Sequence, residues 1–449
     1  MEQSCPLGYV RPIFLFDLSE VSVDYEKICE PLQTSLNITK QAVPMLAAVL
    51  EKNLDAKQKG LHKLVPSENS GKLHLRDLRG NEFPSYEELK EKHFPPSDLP
   101  QELLCPLPIF PEKADGIPVF AAQATLIDGG LVLNLCVIHV VADARAIFEI
   151  FKIWAQNFRH LQDPQIPICQ QLPAYLFEKQ AFTGMLGSRT APTDSTRPVM
   201  QHPDYVVHSS PPPPPPAIMK TSFRTKVFRF SKSGLQQLKR DVAAGLENDQ
   251  YISTNDAICA LIWCCVLAAQ IDTSSFSPDA LSLNTICVDG RARCSGRLSE
   301  NHIGCPMFYA IPRLRVEQIL GVNGLTKASL AIRSAINAVN EAAIADLVSF
   351  LNHIPDYDCL VPVSFNSLMD TGVMMSSWFQ LPFSDVNWGS MFGSGRCDCV
   401  RTVHEGFFNG SQIIMPKLAS GGMDVVVGLD KSKWLKFEDN MLWKRYTSQ

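Results

Sequence analysis

His139 and Asp143 are the residues whose types and spacing most directly offer chemistry. They stand in LVLNLCVIHVVADARAIFEIF, Leu131 to Phe151. An imidazole that titrates near neutrality is suited to taking a proton from one group and returning it to another. A carboxylate four residues on is favoured by the free amide groups at a helix start. The nearest thiol in sequence is Cys136. Strand side chains alternate faces, so Leu133, Leu135, Val137 and His139 share one face and Cys136 points to the other. That argues against a Cys136–His139 nucleophile pair and leaves His139 with no nearby nucleophile in sequence. On these two residues alone, a satisfied core histidine and a helix cap explain the pattern as well as catalysis does.

The elements that must position the pair are legible around it. LVLNLCVIHV has the continuous apolar character of a strand buried on both faces. Ile147, Ile150, Phe151, Trp154, Phe158 and Leu161 then recur at helical spacing. The stretch therefore predicts a strand, a short turn, and an amphipathic helix of about 18 residues. Ser85 and Glu88 form a capping-box pattern ahead of a charged surface helix running through Lys92. Ser253 and Asp256 stand similarly before NDAICALIWCCVLAAQ, whose apolar core, Ala257 to Ala269, is too short for a membrane span and fits a core helix.

At 449 residues the chain exceeds what one hydrophobic core usually organises, and two domains are expected. SSPPPPPP, Ser209 to Pro216, is incompatible with a helix interior or a central strand. Its Pro-, Ser- and Thr-rich neighbourhood makes a semi-rigid connector. The predicted division is 1–187, a crossover linker at 188–220, and 221–449. The net charge of −5 comes with no basic block, which excludes an evident nucleic-acid footprint. The 14 cysteines lack zinc-ligand spacing and no secretory leader is apparent, so they are expected as reduced, mostly buried thiols of a cytoplasmic protein with no metal.

His139-Val-Val-Ala-Asp143 resembles the H-x-x-x-D motif of the BAHD acyltransferase superfamily. Three further segments follow in that family's order. Ser253-Thr-Asn-Asp-Ala257, running into Trp263, is similar to the helix that begins its second half. Val288-Asp-Gly-Arg-Ala-Arg293 is similar to its V-D-x-R-x-R strand end. Ser376 to Gly389, SSWFQLPFSDVNWG, is similar to its S-W-x-x-L-P segment leading into D-F-G-W-G. The resemblance spans nearly the whole chain and is closer to fungal members, such as the trichothecene acetyltransferases, than to plant ones. It implies an α/β (α+β) fold of two similar chloramphenicol-acetyltransferase-like domains with a channel between them. Acyl-CoA would enter as co-substrate, with no permanently bound cofactor, and a small-molecule acceptor would meet it at His139. Nucleic acid and membrane are not expected as partners, and a monomer is.

The resemblance also implies roles. His139 would be the general base, and Asp143 would turn away to pair with Arg291. Trp378, with Ser376 and Ser377 beside it, would offer donors to the tetrahedral oxyanion. Asp385, Trp388 and Gly389 would hold the channel's CoA side in shape. The sequence departs from the pattern at Ala144, where the family has Gly, at Gly304-Cys305, where it has Gly-Asn, and in D-x-x-W-G. Two other readings share the fold: condensation or cyclisation on a carrier-protein thioester, and a binding-only homologue. Condensation domains usually carry two adjacent histidines, whereas Ile138 precedes His139 here.

Overall fold

The computed structural model describes residues 5, 7–21, 25–178, 200–213, 222–271, 277–294, 298–368, 370–403 and 411–447. Most of the predicted crossover linker lies outside the described residues. In chain order the principal strands are β1 (Pro12–Asp17), β2 (Lys72–Asp77), β3 (Phe120–Ile127), β4 (Gly130–Ile138), β5 (Phe223–Phe230), β6 (Leu281–Asp289), β7 (Met307–Ala310), β8 (Val373–Ser377), β9 (Cys399–Thr402), β10 (Ser411–Lys417) and β11 (Met423–Asp430).

They form two large mixed sheets. The first has the order β9-β1-β4-β3-β2, and the second β5-β11-β10-β8-β6-β7. β4 lies centrally, pairing antiparallel with β1 and β3, and every one of its residues is buried. A strand with neighbours on both edges and cover on both faces needs a near-continuous apolar run, which Leu131 to Ile138 supplies except at Asn134, whose buried amide donates to Pro12 O at 3.0 Å.

Helices cover the sheets. α1 (Tyr25–Ala42) and α2 (Ala144–Gln162) pack together on the first sheet, where the buried Trp154 indole donates to Ser35 Oγ at 2.9 Å. The α2 stripe buries Ile147, Ile150, Phe151, Trp154 and Phe158, whereas Leu161 is exposed in the last turn. α3 (Thr254–Gln270) is apolar on all sides and buried nearly throughout, as a helix enclosed by its own domain should be. Its Trp263 donates to Ser282 Oγ at 2.8 Å, fixing it to β6. Both capping boxes form. Ser85 and Glu88 close the helix Tyr86–Glu91, and Ser253 and Asp256 close α3.

One strand crosses between the halves. β9 comes from the second half of the chain but pairs with β1, placing Arg401 opposite Ile13. Arg401 is buried and donates to Asp424 Oδ2 of β11 at 2.6 Å, while Arg229 of β5 forms a two-point pair with the same carboxylate. Arg401 also donates to the carbonyls of His93 and Phe94, two residues with positive φ. This network stitches the first sheet to the second. Burial pushes the Asp424 carboxyl up, and Arg229 and Arg401 together hold it below its ordinary 3.8. A folded-state value below the unfolded one contributes stability above that pH and loses it as pH falls through the folded value. The stability difference between the parent and Asp424→Asn is therefore expected to shrink as denaturation is repeated from neutrality down to about pH 3. A difference that does not change with pH contradicts this.

Candidate active site

β4 ends at Ile138, and His139 opens the turn that leads into α2. The backbone holds the turn in place: the His139 N–H donates to Gly8 O at 2.8 Å, next to the short strand Tyr9–Val10 that pairs with the end of β4. Asp143 is the N-cap of α2, and its Oδ1 accepts from the Ala146 N–H at 2.9 Å. Strand, turn and helix thus set the pair four residues apart with different surroundings.

The Asp143 carboxylate turns from the histidine toward Arg291. Nη1 of Arg291 donates to Oδ2 at 2.8 Å and Nη2 to Oδ1 at 2.9 Å. Such a two-point fork is the strong form of this interaction. The rest of the guanidinium is also occupied: it donates to Asp289 Oδ1, His302 O and Gly304 O. Arg291 is 2% exposed, and burial pulls its pKa down while Asp143 and Asp289 raise it overall, so it stays charged. The Asp143 N–H reaches Gly304 O as well, so one knot ties the α2 start, the end of β6 and the 302–304 segment together.

A cavity of about 540 Å³ opens where the two sheets meet. His139 and Tyr9 line it from the first sheet, and Tyr309, Ser376 and Trp378 from the second. Trp378 is buried and anchored by its backbone N–H to Ile414 O at 2.8 Å, while Ser377 Oγ is engaged with Asn255 Oδ1 at 2.8 Å. Ala144, the first helical residue of α2 and the position where the family usually has glycine, contributes to the wall. Arg145, Arg293 and Arg333 also line the cavity, together with Asp143, Asp256 and Asp289, and Arg333 is paired with Asp256.

The Trp388 segment lies elsewhere. Trp388 is fully buried, packed edge-on or tilted against Phe151, Trp154 and Phe158 of α2 and stacked on Phe392. Gly389 has φ +84° and sits so close to the Gln162 amide that a Cβ would meet Oε1 at 2.4 Å, which explains why glycine is required there. Asp385 is exposed on a short turn, where its backbone N–H bonds Pro382 O. Neither Trp388 nor Asp385 lines the cavity.

Two residues escaped the sequence reading. Cys305 Sγ lies 3.5 Å from His139 Nδ1, so the histidine does have a thiol neighbour, brought to it from 166 positions away. The signal was the replacement of the family's Asn by Cys305. That thiol is not a nucleophile toward a bound substrate. It is fully buried and absent from the cavity wall, and its partner Cys5, together with burial, pushes it well above the ordinary thiol range. His139 itself is pulled down by burial, but Cys305, its own backbone carbonyl and Asp143 raise it overall. The second residue is Tyr309, which lines the cavity and whose buried hydroxyl has no hydrogen-bond partner among the described residues.

Comparison with known proteins gives this geometry its context. The model of the transferase family matches residues 83–443. The chain is 25% identical to the enoyl-CoA isomerase/hydratase claC of Penicillium crustosum over 99% of its own length, though it spans only half of that protein. It is 27% identical to the acyltransferase easC of Emericella nidulans, over 99% of this chain and 93% of that one. Its fold superposes on the crystal structure of F. graminearum TRI101 complexed with coenzyme A and deoxynivalenol with a TM-score of 0.81, at 20% identity, covering 100% of this chain and 97% of the other. With four-fifths of its length under the family model, the chain belongs to the transferase family of BAHD acyltransferases.

Proposed function

We propose that this protein moves an acyl group, acetyl being the favoured case, from acyl-CoA to a hydroxyl or amine of a small natural product. The observation that carries the reading is His139 at the wall of a cavity built from both sheets, with Asp143 turned away and held by Arg291. Nδ1 of the ring faces Cys305, which leaves Nε2 to act on substrate. Nε2 takes the acceptor proton as its oxygen or nitrogen attacks the thioester carbonyl. The tetrahedral oxyanion forms near Trp378 and Ser376, whose indole N–H and hydroxyl supply donors. Collapse breaks the C–S bond, and the imidazolium returns the proton to the departing CoA thiolate. No acyl-enzyme is required, in keeping with a thiol neighbour that is walled off from the cavity.

The channel's Arg145, Arg293 and Arg333 suit the phosphates of coenzyme A. The free state of the cysteines favours a reducing, cytoplasmic setting, and a monomer suffices because both halves of the site come from one chain. No helix among the described residues is long and apolar enough to cross a membrane.

Thermal unfolding with increasing CoA or acetyl-CoA tests the cofactor half of the proposal without a known acceptor. A ligand that binds only the folded state adds about 2.7 kcal/mol at 100 times its Kd. A saturable rise in Tm is the expected result. Its absence at millimolar ligand contradicts an acyl-CoA site.

A further inference from the structure

The fold gathers three metal-binding side chains that the sequence keeps far apart. Cys5 Sγ lies 3.6 Å from Cys305 Sγ, and Cys305 Sγ lies 3.5 Å from His139 Nδ1. All three donor atoms fall within 4.8 Å of one another. Cys5 precedes the first strand, His139 follows β4, and Cys305 precedes β7, so the cluster is assembled by tertiary structure alone. Both thiols are buried.

The two sulfur contacts fit the edges of a tetrahedral coordination site. A tetrahedral zinc ion with Zn–S near 2.3 Å and Zn–N near 2.05 Å has S–S edges of about 3.8 Å and S–N edges of about 3.6 Å. The two contacts agree with those edges to within a few tenths of an ångström. The donor set is also the one that thiophilic divalent ions prefer, two sulfurs and an imidazole. We propose that Cys5, Cys305 and His139 Nδ1 form a site for a thiophilic divalent cation, zinc or cadmium, and that its occupation silences the enzyme.

Binding is balanced by the release of two thiol protons to solvent, one from each cysteine, as both become thiolates. The consequence for His139 follows from imidazole chemistry. A neutral ring with a metal on Nδ1 carries its proton on Nε2. That nitrogen then has no lone pair for the acceptor proton. Only this inhibitory effect rests on the acyl-transfer reading; the metal site itself rests on the three donors.

The test uses the full-length, metal-stripped protein titrated with cobalt(II) as a spectroscopic stand-in. The expected result is one cobalt per chain, with a thiolate charge-transfer band in the near ultraviolet and the intense visible bands of a tetrahedral ion. Cys5→Ser is expected to weaken binding at least tenfold and reduce the charge-transfer band, because it removes one of the two thiolates, at a residue that does not line the cavity. In parallel, zinc should inhibit acyl transfer by the parent, while Cys5→Ser keeps its basal turnover and loses at least tenfold in zinc sensitivity. Parent-like cobalt spectra in Cys5→Ser would place the metal on other cysteines and overturn the site. The absence of a charge-transfer band at equimolar cobalt would do the same. A normal cobalt site with unaltered turnover would leave the metal centre standing and refute the silencing. The spectra report on the site even if no acyl transfer is found, so the two readings fail separately.

Discussion

His139→Ala is expected to lower the rate of acyl transfer by about 10²–10⁴-fold, the contribution of a positioned general base. The structure gives the reason that this loss should be chemical rather than structural. The ring is only partly buried at the cavity wall, and its local fold is held by the backbone, through the His139 N–H on Gly8 O. Its ring approaches Cys305 Sγ at 3.5 Å, and Cys305 retains Cys5 as a neighbour when the ring is gone. Thermal unfolding should therefore stay near that of the parent while CoA-thiol release collapses. Near-parent turnover in the variant removes His139 from the mechanism.

Breaking the Asp143–Arg291 pair is expected to act on the fold first. Arg291→Ala leaves a carboxylate buried without its two-point partner and takes one donor each from the His302 and Gly304 carbonyls. Removing one partner of a buried ion pair typically costs about 3–5 kcal/mol. Asp143→Ala should do comparable harm, because it strands the guanidinium and also strips the N-cap of α2. The double variant Asp143→Ala/Arg291→Ala should cost less than the sum of the singles, since it leaves no uncompensated charge between the two positions. Denaturant unfolding of the four proteins measures this directly. Single variants within about 0.5 kcal/mol of the parent would assign the pair no structural part.

The contrast between these two residues explains how much of the site the sequence could reveal. The strand–turn–helix around His139 was visible in the switch from a continuous apolar run to 3.6-residue periodicity, because local burial dictates local pattern. The capping boxes at Ser85 and Ser253 were visible for the same reason, since each closes within one helical turn. The Asp143–Arg291 contact spans 148 positions, and only the family resemblance pointed to it. Cys305 and Cys5 are 300 positions apart and carry no local signature of their meeting. Strand β9 gave no sign that it would leave its own half, because four residues, CVRT, look alike in either sheet. Asp385 shows the opposite failure. It matches a motif position yet stands exposed, so motif spacing placed it near the signature without giving it the buried role of Trp388.

Ala144 belongs between these cases. Its place in the motif was read directly, but only the fold shows that it lies on the cavity wall. Tyr309 is similar, a strand residue whose place on the cavity wall shows only once β7 is seen to border the same space.

The measurement that bears most directly on direct acyl transfer at His139 is a labelling experiment. The protein is incubated with a pool of small hydroxylated and amino metabolites and an equal mixture of ordinary and isotopically labelled acetyl-CoA, then analysed by mass spectrometry. The account predicts product doublets among the small molecules with the parent, their loss with His139→Ala, and no label on the intact protein. Doublets of equal strength from His139→Ala, or label held covalently by the chain, would contradict it.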